Sequence, residues 1–148
     1  MIGKLLRFSF LQRHRDYGAL LLRLLVGIFI IHGVQDNILS WKQMKEFEHF
    51  LAGRGVPFPL FAAHLSVYAQ FICGLSVLLG AFLRLTSLVF IINFICAIVI
   101  AHLGQSFRQM LPALMMMAAG VFFVFHGAGR PSVDHLLGIE GRDEEGKA

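Results

Sequence analysis

The sequence predicts an all-α integral membrane protein: an antiparallel four-transmembrane-helix bundle with an interfacial amphipathic helix between the first and second spans. Three observations carry this. The chain is 57% hydrophobic and only 15% charged, with a mean hydropathy of +0.71, too apolar to keep a soluble domain wet. It holds four apolar runs of spanning length with short breaks between them. Those runs lack the period-2 alternation of a membrane barrel, and helices then remain the way to satisfy every backbone group inside lipid.

Residues 1–16 mix bulky apolar side chains with Lys4, Arg7, Arg13 and Arg15, the pattern of a short cytoplasmic or interfacial segment. The first span runs from about Tyr17 to Leu39. It is too long for a signal peptide and has no small-residue cleavage site, so it is expected to be retained. After it, Trp41, Met44, Phe47, Phe50 and Leu51 recur at helical spacing among charges, which reads as a helix in the interface with Trp41 as anchor. Gly53-Arg-Gly-Val-Pro-Phe-Pro59 ends that helix, because proline cannot donate a bond and glycine takes turn dihedrals.

The second span is expected at about Leu60 to Phe82, the third at Leu85 to Leu103 and the fourth at Leu111 to Phe125, with Pro112 in the fourth span's first turn. Residues 17–137 thus form one membrane domain, and residues 138–148 a polar tail read as disordered. Four spans put both termini on one side. That side carries Lys4, Arg7, Arg13, Arg15, Arg84, Arg130, Arg142 and Lys147, whereas the opposite loops carry Lys42, Lys45, Arg54 and Arg108. The positive-inside rule then makes both termini cytoplasmic. The net charge of +4 is therefore a topogenic signal, and no nucleic-acid partner is expected. Cys73 and Cys96 lie inside apolar runs, where neither a zinc site nor a disulfide framework is plausible.

Polar groups inside the spans mark candidate sites. His32 and Asp36, four residues apart, share a face near the outer end of the first span, with Gln35 beside them. His64 opens the second span and His102 closes the third, so three histidines from three helices share that end, while His126 belongs to the other. Three readings stand. The histidines are interfacial groups reaching the headgroups; or they line a quinone head-group pocket with Gln35 and Tyr68, protons passing through Asp36; or a pair of them holds a metal or haem b. Nearer the midplane, Gln70 is a further ligand-binding candidate, although an interhelical amide bond to Asn93 accounts for it more simply. Asn93 and His102 are nine residues apart, half a turn out of phase on an ideal helix. Arg23 is expected to snorkel to the cytoplasmic surface or to pair with Asp134.

Leu22-Arg-Leu-Leu-Val-Gly-Ile-Phe-Ile-Ile-His-Gly33, Phe50-Leu-Ala-Gly-Arg-Gly-Val-Pro-Phe-Pro59, Leu79-Gly-Ala-Phe-Leu-Arg84 and Gly127-Ala-Gly-Arg-Pro-Ser-Val-Asp134, in that order, resemble the DoxX family of small four-helix membrane proteins. The resemblance covers about residues 20 to 137. It implies a bundle in a bacterial inner membrane and an association with redox chemistry: the namesakes belong to a thiosulfate:quinone oxidoreductase, and others are linked to complexes that handle oxidative stress and thiols. His32 and Gly33 match the family's histidine-glycine pair, and Arg84 and Arg130 its loop arginines. The chain departs from the family at Gln70, where a glutamate is frequent, and near Gln109, Met110 and Leu111, where another acid is. An amide keeps hydrogen bonding but gives up proton exchange.

The resulting expectation is a quinone-linked, redox-associated inner-membrane protein. His32 and Asp36 are its catalytic candidates, with Gln35, His64, Tyr68, Gln70 and His102 as ligand-binding candidates and no metal site. It would work with a partner redox protein, since the chain carries no Rossmann glycine fingerprint, Cys-x-x-Cys or haem-attachment motif. The alternatives are a non-catalytic anchor or assembly subunit, a haem b-binding electron-transfer subunit and, last, a small transporter. A homo-oligomer is compatible with each.

Overall fold

The computed structural model describes residues 14–139. The expected cytoplasmic or interfacial segment, residues 1–16, and the polar tail therefore lie largely outside the described residues. Among the described residues every regular element is helical: α1 (Arg15–Leu39), α2 (Trp41–Gly53), α3 (Pro59–Leu79), α4 (Leu83–Ala97) continued by a π-helical turn (Ile98–His102), α5 (Phe107–His126) and the short α6 (Val133–Leu136). α1, α3, α4 with its π turn, and α5 are each long and apolar enough to cross a membrane.

The ends of these helices follow local chemistry. α3 stops at Leu79, three residues before the expected end, because Gly80 takes a left-handed conformation (φ 64°) that caps it. α5 begins at Phe107, four residues early. Ser106 and Gln109 form a capping box there, with reciprocal side-chain and backbone bonds. Pro112 consequently lies inside α5 rather than in its first turn, and the Arg108 carbonyl one turn back loses its usual donor.

Small residues bring α1 and α3 together. A Cβ added at Gly27 would lie 2.5 Å from Leu78 Cγ and 3.0 Å from the Gly74 carbonyl oxygen, and one at Gly74 would lie 2.9 Å from Ile31 Cγ1. Such close approach is how helices gain dispersion energy in lipid, where burying apolar surface supplies no drive. Two buried clusters result. One joins Val26 and Ile30 of α1 to Cys73 and Val77 of α3, Leu83 and Phe90 of α4, and Ala119 and Phe123 of α5. The other joins Val34 of α1 to Met44 and Leu51 of α2 and to Ala63 and Val67 of α3, with Ile100 of the π turn against it.

Arg23 sits at the edge of the first cluster, only 1% exposed. It does not snorkel. Its Nε donates to the Val77 carbonyl (2.9 Å) and its Nη2 to that of Leu78 (3.0 Å), while Nη1 donates to Ala128 (2.9 Å) and Pro131 (2.8 Å). The guanidinium thus satisfies carbonyls at the α3 terminus and ties the loop after α5 to them. Asp134, 2% exposed, spends its carboxylate oxygens on the amides of Phe82 (2.6 Å) and Leu83 (2.9 Å) at the start of α4.

Candidate functional site

At the opposite end, three helices each carry a small polar group. On α1 the Gln35 amide donates to His32 Nδ1 (3.0 Å). That bond makes Nδ1 an acceptor and leaves the neutral ring's proton on Nε2, a donor for whatever lies alongside. His32 and Asp36 are both exposed on the same face of α1. Below His32, along this helix, a groove of about 470 Å³ is lined by Leu25, Ile28, Phe29, His32 and Gly33. Nothing lies within 4 Å of a Cβ built at Gly33, so its missing side chain leaves the groove open. These residues recur at helical spacing (25, 28, 29, 32, 33), a pattern in the sequence from which the groove was not inferred.

On α3, His64 Nδ1 donates to the carbonyl of Leu60 (2.9 Å), which puts its proton on the other nitrogen from that of His32 and leaves Nε2 a lone pair. His64 stacks on Tyr68 with ring centroids 6.1 Å apart, and Trp41 of α2 approaches it from another side at 5.9 Å. Lys45 Nζ lies 5.3 Å from the centre of the Trp41 ring. On the π turn, His102 Nδ1 donates to Gln105 Oε1 (2.7 Å), again leaving Nε2 as acceptor.

Gln35 and His32 are therefore joined, and so are His64 and Tyr68. Among the described residues no hydrogen bond or ring contact connects the α1 group with the α3 group or with His102. Nor do any three His, Cys, Asp or Glu side chains among them group so as to hold a metal ion. The two groups are nonetheless at one level, since Val34, between His32 and Asp36, packs in the cluster that contains Ala63 and Val67.

Two further features were not anticipated. Gln70 and Asn93 are linked through a third residue: Gln70 Nε2 donates to Ser66 Oγ (3.2 Å), which donates to Asn93 Oδ1 (3.0 Å). Ser66 lies one turn before Gln70 on the same face and stands between the two amides, so the expected direct bond is replaced by a relay. Asn93 Nδ2 is buried with no hydrogen-bond partner among the described residues. The second feature is the π turn, where i→i+5 bonding breaks the phase count that set His102 opposite Asn93. Arg54 Nη1 donates to the Ile100 carbonyl within it (3.0 Å), anchoring the α2–α3 loop.

Four apolar helices of spanning length, with ionisable groups held inside or beside them, define a multi-pass membrane protein surrounded by lipid. The chain belongs to the DoxX family, whose model matches residues 18–103, more than half of its length. That match takes in the first three spans and ends before α5, so the Gly127 to Asp134 segment lies beyond it. No curated protein and no solved structure matches the chain.

Proposed function

We propose that this chain is a quinone-linked component of a redox system in a bacterial inner membrane, with both termini cytoplasmic, and that a partner redox protein exchanges electrons with it. On this reading the four spans alternate in direction and α2 lies in the outer interface. The observation that carries the reading is the apolar groove along α1 whose lining includes His32, a ring held by Gln35. An isoprenoid tail needs an apolar channel open to lipid, and a quinone carbonyl needs a fixed donor at its end.

Bound quinone supplies two-electron, two-proton chemistry. Gln35 holds the His32 ring so that Nε2–H points its proton at an acceptor. His32 thus serves as a hydrogen-bond donor, and Asp36, one turn further toward the end of α1, would exchange the quinone's protons with the aqueous side. His64 and His102, whose Nε2 atoms are acceptors, stand ready to take protons at the same level, and Tyr68 stacks beside the first of them. Gln70 has no acid–base role, since its amide is committed to Ser66.

The test is quinone extraction and an absorption spectrum of protein purified gently from its own membrane, repeated on Gly33→Leu and His32→Ala. The expected outcome is near-stoichiometric quinone in the parent, lost when leucine fills the groove and weakened without the imidazole, in protein that still inserts and melts normally. Equal quinone in all three would refute the site. A Soret band that disappears in His32→Ala would replace it with haem b, and a second polypeptide in a cofactor-free preparation would favour the anchor subunit.

A further inference from the structure

The chain beyond the fourth span leaves an apolar surface uncovered at the end of the bundle that Arg23 closes. Leu136 is 84% exposed, Leu137 59% and Ile139 53%. Three large apolar side chains in four residues, on a segment that should otherwise face water, call for a covering partner.

The backbone that carries them is tied down and internally satisfied. The Asp134 amide donates to the Gly80 carbonyl (2.9 Å), and the His135 amide to Ser132 Oγ (3.1 Å). The amides of Leu136, Leu137, Gly138 and Ile139 donate to the carbonyls of Ser132, Val133, His135 and Asp134 at 2.9–3.2 Å. Six consecutive N–H groups thus need nothing from water, the condition for entering a medium that cannot hydrogen-bond to them.

Depth is fixed by the same bonds. Gly80, Phe82 and Leu83, to which Asp134 is fastened, lie where one candidate span ends at Leu79 and the next begins at Leu83, and the fourth ends at His126. The segment is therefore held at the rim of the membrane. Its neighbours there continue the lipid-facing surface: Phe82 is 56% exposed and Phe125 81%. Arg130, exposed on the same tied loop, has its backbone N–H fastened to Asp16 Oδ2 (3.1 Å).

We propose that residues 133–139 are a membrane-surface foot. Leu136, Leu137 and Ile139 sink into the boundary between headgroups and acyl chains, and Arg130 meets the phosphodiester of a phospholipid headgroup. Cation and apolar ridge together give the amphipathic arrangement that lies in an interface without spanning it. The occupant follows from continuity, since the patch extends a surface that lipid already covers.

Trp41 is the single tryptophan of the chain, so a Trp41→Phe background carrying Leu137→Trp, and separately Leu136→Trp, reports on the foot. Both proteins are reconstituted in phosphatidylcholine vesicles, with the lipid brominated near the top of its acyl chains or unbrominated. A side chain about 5–10 Å below the headgroup surface should lose roughly half its emission or more to the bromines and resist aqueous acrylamide. Adding Arg130→Gln should weaken the bromine quenching. Acrylamide quenching without bromine quenching would show a solvent-facing segment and overturn the proposal. Protection from both quenchers would mean that protein, such as a second copy, covers the patch, and would overturn it equally.

Discussion

Replacing Arg23 by methionine keeps much of the side chain's length and apolar stem while deleting the guanidinium. Four carbonyls from two distant parts of the chain lose their donor: those of Val77, Leu78, Ala128 and Pro131. Hydrogen bonds from a charged group contribute about 1.5–3 kcal/mol each, but these share one cation, so they do not add. Removing the cation also removes the cost of burying it. Carbonyls left buried without a donor cost about 1–3 kcal/mol each, partly offset by that relief, and a net loss of about 3 kcal/mol is expected. The assay is reversible unfolding in mixed micelles titrated with a denaturing detergent, followed by circular dichroism. Arg23→Lys should lose roughly half as much, because an ammonium has three donors and no fork geometry. Exposed Arg130→Gln should stay within about 0.5 kcal/mol of the parent. An Arg23→Met protein within about 1 kcal/mol of the parent would refute the claim that these bonds hold this end together.

Three further outcomes are expected. Gly80→Ala should cost at least about 1–2 kcal/mol in the same titration: its φ is 64°, and the new Cβ would lie 2.5 Å from Arg23 Nη2 and 2.6 Å from Ser132 Cβ. Ser66→Ala should cost about 0.6–2 kcal/mol by cutting the relay between Gln70 and Asn93, and an unchanged midpoint would make that relay incidental. Arg54→Gln should speed amide exchange in Ile98–His102, where its bond to the Ile100 carbonyl is lost, without changing exchange in α1.

Long-range hydropathy made the four spans legible, because lipid demands about twenty apolar residues whatever their neighbours. The ends were less so. Ser106-Phe-Arg-Gln109 was a readable capping box that places the start of α5 four residues before the apolar run. By contrast, Gly80 alone does not announce that α3 stops there, since a glycine inside a span serves equally for helix packing. The polar residues of the candidate site were proposed from type and depth, with His32 and Asp36 expected on one face, where both lie exposed. Their partners were not: Ser66 between two amides, and the opposite tautomers of His32 and His64, depend on side-chain positions that no spacing rule carries. Arg23 was misread for a general reason. A lone arginine near a span end usually reaches outward, and its inward turn here depends on carbonyls 54 to 108 residues away.

Those separations bear on how the chain is made. Arg23 is added to the chain 105 and 108 residues before Ala128 and Pro131. At about 5–20 residues per second, that interval lasts on the order of 5–20 s. During it the Ala128 and Pro131 carbonyls are missing, and before α3 exists so are those of Val77 and Leu78. The first helix therefore completes these bonds only when the last loop arrives. A nascent chain halted after the third span would lack two of the acceptors that close this end of the bundle, the Ala128 and Pro131 carbonyls.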